Sequence, residues 1–278
     1  MIAAVLDASW PVLLLVATLL SGFGLFHFQP WWAARRRERL REQPFPAAWR
    51  RILRRRVPIV ARLPVDLQLR LKRKITVFLA EKPFIGCQGL VVTDDVRVTI
   101  AAQACLLLLG DEQGACFPQL RQILVYPGAF VVDRNVPVGA GLVQAQRQAM
   151  SGESWSQGQV ILAWAEVVAG AADPGDGRNV TLHEFAHQID QDKGAADGSP
   201  WLPGAAARRR WAAAMAQGLA RLRQAPSAVI DGYGASNPAE YFAVATEAFF
   251  ERPQALADEA PEVYQQLAGL YRLDPRHW

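Results

Sequence analysis

The sequence predicts an α+β fold, mostly helical with a small sheet and preceded by a hydrophobic N-terminal helix. Three observations carry this prediction. Residues 9–28 contain no Asp, Glu, Lys or Arg. Short runs rich in β-branched and aromatic residues, set off by Gly and Pro, cluster between residues 120 and 164. From residue 180 onward, apolar side chains recur at helical spacing.

The apolar run comes first. As a helix, Ser9 to Phe28 would extend about 30 Å, the thickness of a bilayer's hydrocarbon core. Trp31 and Trp32 follow where an interfacial aromatic belt would sit, and then Arg35-Arg36-Arg37-Glu38-Arg39. This order predicts a transmembrane anchor over 1–29, tethered to the inner membrane with its C-terminal side in the cytoplasm. A buried core helix, or a hairpin broken at Gly22 and Gly24, is the alternative. A cleaved signal peptide fits worse, because the start has Asp7 in place of Lys or Arg and no A-x-A site follows.

Residues 30–75 come next and carry a net charge of +12, whereas 76–278 carry −7 within a whole-chain net of +4. The basic character is therefore local. It predicts a juxtamembrane helical segment resting on anionic lipid. The body has no basic stripe and no recognition motif, so no nucleic-acid partner is expected.

Residues 44–82 read as helices broken at Pro44, Pro46, Pro58 and Pro64, with Leu67, Leu69, Leu71, Ile75, Phe78 and Leu79 facing the core. A short strand is predicted at Leu90-Val91-Val92, then a turn at Asp94-Asp95 and a helix through Leu106–Leu109. Further strands are predicted at 123–126, 130–132, 141–150 and 160–164. A Gly/Pro/Asp loop spans 169–178, and helices follow at about 180–192, 204–224, 238–251 and 262–271. No linker interrupts 76–278, which reads as one domain.

Composition excludes several classes. About half of the 278 residues are apolar, so wholesale disorder is excluded. Three cysteines without a C-x-x-C pair exclude a disulfide scaffold, a cysteine zinc site and a thioredoxin-like site. No P-loop and no G-x-G-x-x-G occurs.

The chemistry lies in His183-Glu184-Phe185-Ala186-His187, an H-E-x-x-H motif. Two histidines at i and i+4 share one face of a helix, one turn apart, so both imidazoles can reach one ion. A Glu beside the first His can reach water at that ion and act as general base. Two imidazoles and a carboxylate suit one Zn²⁺ in an open catalytic site. Asn179 can cap this helix, or Thr181 with Glu184 can form a capping box.

A third ligand is required. His27 sits in the predicted anchor and His277 at the C-terminus, so a carboxylate on a later helix is expected. In the segment after Asn237-Pro238, Glu240 and Glu247 lie on one helical face. On local grounds they are equal candidates, with Glu251 behind them. Glu240 could equally be a capping residue. Asp190 and Glu247 could each orient a ligating histidine, or Asp190 could bond nearby backbone at the helix end. The 160–164 strand could be an edge that pairs with extended substrate, or a buried core strand.

His-Glu-Phe-Ala-His-Gln-Ile-Asp, together with Tyr-Gly-Ala-Ser-Asn-Pro-Ala-Glu-Tyr-Phe-Ala-Val, resembles the Mlc titration factor A family of bacterial zinc metallopeptidases. The resemblance extends to Val125-Tyr126-Pro127, Phe130-Val131-Val132 and Gly152-Glu153-Ser154-Trp155. It covers roughly residues 75–275. The motifs are also similar to the catalytic domain of anthrax lethal factor. The resemblance implies a zincin-like fold of the gluzincin type over 76–278. It further implies that Glu240 is the third metal ligand beside His183 and His187, and that Tyr233 assists at the oxyanion with Glu184 as general base.

The expected activity is zinc-dependent hydrolysis of peptide bonds in a peptide or protein substrate, with the catalytic domain in the cytoplasm. The resemblance also implies an Mlc-like transcriptional regulator as a partner. The alternatives are a non-catalytic sequestering protein and a membrane-tethered quality-control protease.

Overall fold

The computed structural model describes residues 10, 14–18, 31–112, 114–139, 142–150, 152–155 and 158–278. The chain divides into two units, 1–44 and 45–278. In the first, residues 14–18 and 31–42 are helical. Most of the predicted anchor lies outside the described residues. Among those described, no helix is long and apolar enough to cross a membrane.

The second unit is mostly helical, with helices α1 (Ala47–Arg56), α2 (Val65–Glu81), α3 (Asp94–Leu106), α4 (Trp164–Ala172), α5 (Val180–Asp190), α6 (Ala205–Gln224), α7 (Pro238–Glu251), α8 (Pro253–Glu259) and α9 (Pro261–Tyr271). The strands are β1 (Phe84–Gly86), β2 (Gln122–Tyr126), β3 (Phe130–Gly139), β4 (Leu142–Met150), β5 (Gly152–Trp155) and β6 (Gln159–Ala163).

Strand order in the main sheet is β1-β2-β6-β5. The first three run parallel and β5 is antiparallel to β6. β3 and β4 form a separate antiparallel hairpin. The 160–164 run is therefore flanked on both sides, and the edge beside it is β5. Its last residue, Trp164, opens α4 instead of closing the strand.

Helices and sheet share one core. Ile123 and Val125 of β2, Val160 and Leu162 of β6, and Leu71, Ile75 and Phe78 of α2 are fully buried. α3 is buried nearly throughout, from Val96 to Leu106, and α1, α2, α4 and α5 all pack against it. Leu71, Ile75, Phe78 and Leu79 face inward as predicted, but Leu69 is half exposed. Leu69 stands two residues before Leu71, about 200° around α2, and so falls on the face opposite the buried stripe.

The strand predicted at 90–92 does not form. The sheet takes Phe84–Gly86 instead, and the chain turns away after Cys87 donates its N–H to Val125. Leu90 N–H closes that turn on Cys87 O at 3.1 Å. A Cβ on Gly86 would stand 1.9 Å from the Leu90 carbonyl, so only glycine permits this fold-back. The predicted turn at Asp94-Asp95 is the first turn of α3, which the two carboxylates favour through the helix dipole.

Candidate metal centre

α5 begins where its sequence says it should. The Asn179 side chain accepts the Leu182 N–H at 3.0 Å, so Asn179 is the cap and the Thr181–Glu184 alternative is not used. One face of α5 is core. Leu182, Phe185 and Ala186 are fully buried, and the Phe185 ring lies 4.8 Å from Phe117 and 5.8 Å from Phe78, centroid to centroid. That anchoring sets the helix's rotation and turns His183 and His187 toward α7.

α7 is built the same way. Asn237 caps it by accepting the Glu240 N–H at 3.0 Å, with Pro238 in the first turn. The Glu240 side chain does not reach back to the cap. Its Oε2 lies 2.9 Å from His183 Nε2 and 3.5 Å from His187 Nε2, and the two Nε2 atoms are 3.2 Å apart. His183, His187 and Glu240 form a three-donor cluster, with all ligand atoms within 4.8 Å of one another.

This cluster fits a metal ion. Ligands bonded to Zn²⁺ at about 2.0–2.1 Å in a tetrahedron stand about 3.4 Å from one another. The three separations scatter closely around that value. The donor set, two imidazole nitrogens and one carboxylate oxygen, is also of the kind that binds zinc with an open position.

Glu247 lies on the other side of His183. Its Oε1 is 2.8 Å from Nδ1, and its Oε2 accepts the backbone N–H of Asn179. The two ring nitrogens of an imidazole point in different directions, so Glu247 cannot join Glu240 at the Nε2 side. This separates the two carboxylates that local sequence left equal.

Asp190 does not reach His187. Its Oδ2 accepts the Gly198 N–H at 2.6 Å, fixing the loop after α5. Gly198 also accepts the Trp211 indole N–H at 2.8 Å. Its φ is +77°, and a Cβ there would stand 2.4 Å from the Pro238 carbonyl. This loop is therefore pressed against the first turn of the helix that carries Glu240. Nδ1 of His187 and Oδ1 of Asp190 are buried without a hydrogen-bond partner among the described residues.

The remaining predicted residues are close by. Glu184 is buried beside His183. Tyr233, in a short 3₁₀ turn at Gly232–Ala235, is half exposed, with its ring centroid 6.0 Å from that of His183.

Electrostatics follow from the packing. Burial opposes a charged ring at His183, but the bonds to Glu240 and Glu247 outweigh it and hold its pKa well above the ordinary value. Burial pushes the Glu240 carboxyl up, and the two histidines more than offset this, bringing it down to about 2. Glu251 has no such cation. Burial raises it to about 8, partly countered by the Asn179 side-chain amide, which donates to its Oε1 at 2.9 Å. The link from Glu251 through Asn179 was not foreseen. Its signal is the spacing of Glu240, Glu247 and Glu251 on one face of α7.

Residues 31–272 match the family model described as "Glucose-regulated metallo-peptidase M90". An uncharacterized protein of Synechocystis sp. is 40% identical over 95% of this chain and 98% of its own length. Mlc titration factor A of Klebsiella pneumoniae subsp. pneumoniae is 36% identical over 79% of this chain and 84% of its own. Mlc titration factor A of Salmonella agona is 35% identical over the same shares.

Proposed function

The chain belongs to the glucose-regulated metallopeptidase M90 family, and from that premise we propose that it is a zinc-dependent peptidase with His183, His187 and Glu240 as its metal ligands. The observation that carries this reading is the convergence of the two Nε2 atoms and Glu240 Oε2. A zinc ion held there supplies Lewis-acid polarisation of the scissile carbonyl and lowers the pKa of water.

The protein's own groups do the rest. Glu184 takes the proton of the attacking water and delivers it to the leaving amine. Tyr233 donates its phenolic O–H to the developing oxyanion from the open side of the site. β5, antiparallel to β6, packed on α5 and last in the sheet among the described residues, offers its outer edge to an extended peptide.

The test is hydrolysis of a mixed peptide library by the zinc-loaded protein and by Glu184→Gln. Cleavage by wild type alone is the expected result. No cleavage by either, with zinc bound to both, turns the reading to a metal-stabilised binding protein.

The name of the Klebsiella and Salmonella relatives suggests an Mlc-like regulator as a partner. Loss of a cellular effect in Glu184→Gln would assign that effect to catalysis, and its persistence to binding. The apolar run at 9–28 and the arginines after it support tethering to the inner membrane, with the metal centre on the cytoplasmic side. Deleting residues 1–43 and fractionating the cells tests the tether.

A further inference from the structure

We infer that Glu247 is a positioning residue for the metal centre, holding His183 in the orientation and tautomer that present its Nε2 to the ion. The inference rests on the ligand set proposed above and adds to it a residue that takes no part in binding the metal directly.

The geometry is specific. Glu247 spends one carboxylate oxygen on His183 Nδ1, at 2.8 Å, and the other on the backbone N–H of Asn179. An anionic carboxylate can only accept, so Nδ1 carries a proton, and in the neutral ring that binds a metal it is then Nε2 that presents the lone pair. Metal-bound histidines commonly use such an outer partner to fix ring and tautomer. Here the partner also grips the residue that caps α5, since the Asn179 side chain accepts from Leu182. The ring is thereby fixed relative to the start of its own helix.

Glu247 is itself held in place. It is buried on α7, two turns after Glu240, so one rigid helix supplies both carboxylates that His183 meets. The Asn179 side-chain amide donates to Glu251 Oε1 at 2.9 Å and to the Gly170 carbonyl at 3.2 Å. Glu251 follows Glu247 by one turn of α7. The cap of α5 is thus tied to α7 at both residues, and Glu247 sits where that tie meets the metal centre. His187 differs: its Nδ1 has no hydrogen-bond partner among the described residues. Orientation of the site through an outer carboxylate falls on His183.

The experiment measures zinc affinity of the full-length chain by competition with a chromophoric chelator, for wild type, Glu247→Gln, Glu247→Asp and Glu240→Ala. Metal-free thermal unfolding is recorded alongside. Glu247→Gln is nearly isosteric but has one acceptor oxygen for two donors, the His183 Nδ1–H and the Asn179 N–H, so the metal-free unfolding record serves as its folding control. This variant is expected to weaken zinc binding about 10- to 100-fold while retaining the fold. Glu247→Asp is expected to recover part of that loss.

Nitrogen-15 spectra of the zinc-loaded histidine rings give a readout independent of affinity. A protected Nδ1–H at His183 is expected in wild type, and its faster exchange with water in Glu247→Gln. Wild-type affinity together with an unchanged Nδ1–H signal in Glu247→Gln overturns the inference. Wild type that binds no zinc, or Glu240→Ala that binds it fully, overturns the ligand set beneath it, so the two failures are distinguishable.

Discussion

The Nε2 atoms of His183 and His187 face each other across 3.2 Å, one turn apart on α5. Without an ion, that approach needs a proton on one of them. With an ion, both lone pairs point at it, and the proton leaves. Zinc is therefore expected to raise the unfolding temperature while releasing protons to buffer. At a hundredfold excess over Kd the stabilisation is about 2.7 kcal/mol. His183→Ala and Glu240→Ala should abolish the shift. Scanning calorimetry with and without zinc, in buffers of differing ionisation enthalpy, measures both effects.

Tyr233 stands half exposed with its ring near that of His183. If its hydroxyl serves the oxyanion, Tyr233→Phe should lower kcat by about 10²- to 10³-fold, with zinc content and KM nearly unchanged. Steady-state kinetics on a cleaved peptide, paired with metal analysis, decide it. A changed KM with unaltered kcat would assign the ring to substrate binding instead.

Glu251 is raised to about 8, so the folded protein retains a proton that the unfolded chain, near its ordinary 4.5, has released. Between those values the native state binds more protons, and stability falls as pH rises until it flattens above about 8. The slope from this one group is at most about 1.4 kcal/mol per pH unit. Glu251→Gln keeps an acceptor for Asn179 and should flatten the dependence. Urea unfolding of the metal-free protein at pH 6 and pH 8, for wild type and variant, tests the sign.

Gly198→Ala should damage the metal centre from outside it. The new Cβ would meet the Pro238 carbonyl at 2.4 Å, at a φ of +77° that L side chains rarely adopt. Pushing the first turn of α7 away displaces Glu240. Overpacking of this kind costs about 1–3 kcal/mol, and zinc affinity should fall with it. Unchanged affinity in a destabilised variant would show that the loop supports the fold alone.

The sequence was most legible where local chemistry decides. Asn179 and Asn237-Pro238 mark the starts of α5 and α7 because capping is settled within a few residues. The H-E-x-x-H spacing places His183 and His187 together for the same reason. Pairwise tertiary questions were not legible. Asp190 and Glu247 were equal candidates for a histidine partner, and only the packing of α7 on α5 gives Glu247 that bond and Asp190 the Gly198 amide. Strand order was equally hidden, because the 160–164 run looks alike as an edge or a centre. β1 escaped notice because it has three residues and depends on a fold-back that Gly86 alone allows.

Fifty-seven residues separate His183 from Glu240. During synthesis, at about 5–20 residues per second, the motif helix leaves the ribosome tunnel roughly three to eleven seconds before its carboxylate partner follows. On the proposed ligand set, a nascent chain holds two imidazoles and a general base but no complete site for that interval. Activity is then a property of the finished chain, which delays any cleavage of neighbouring polypeptides until α7 has docked.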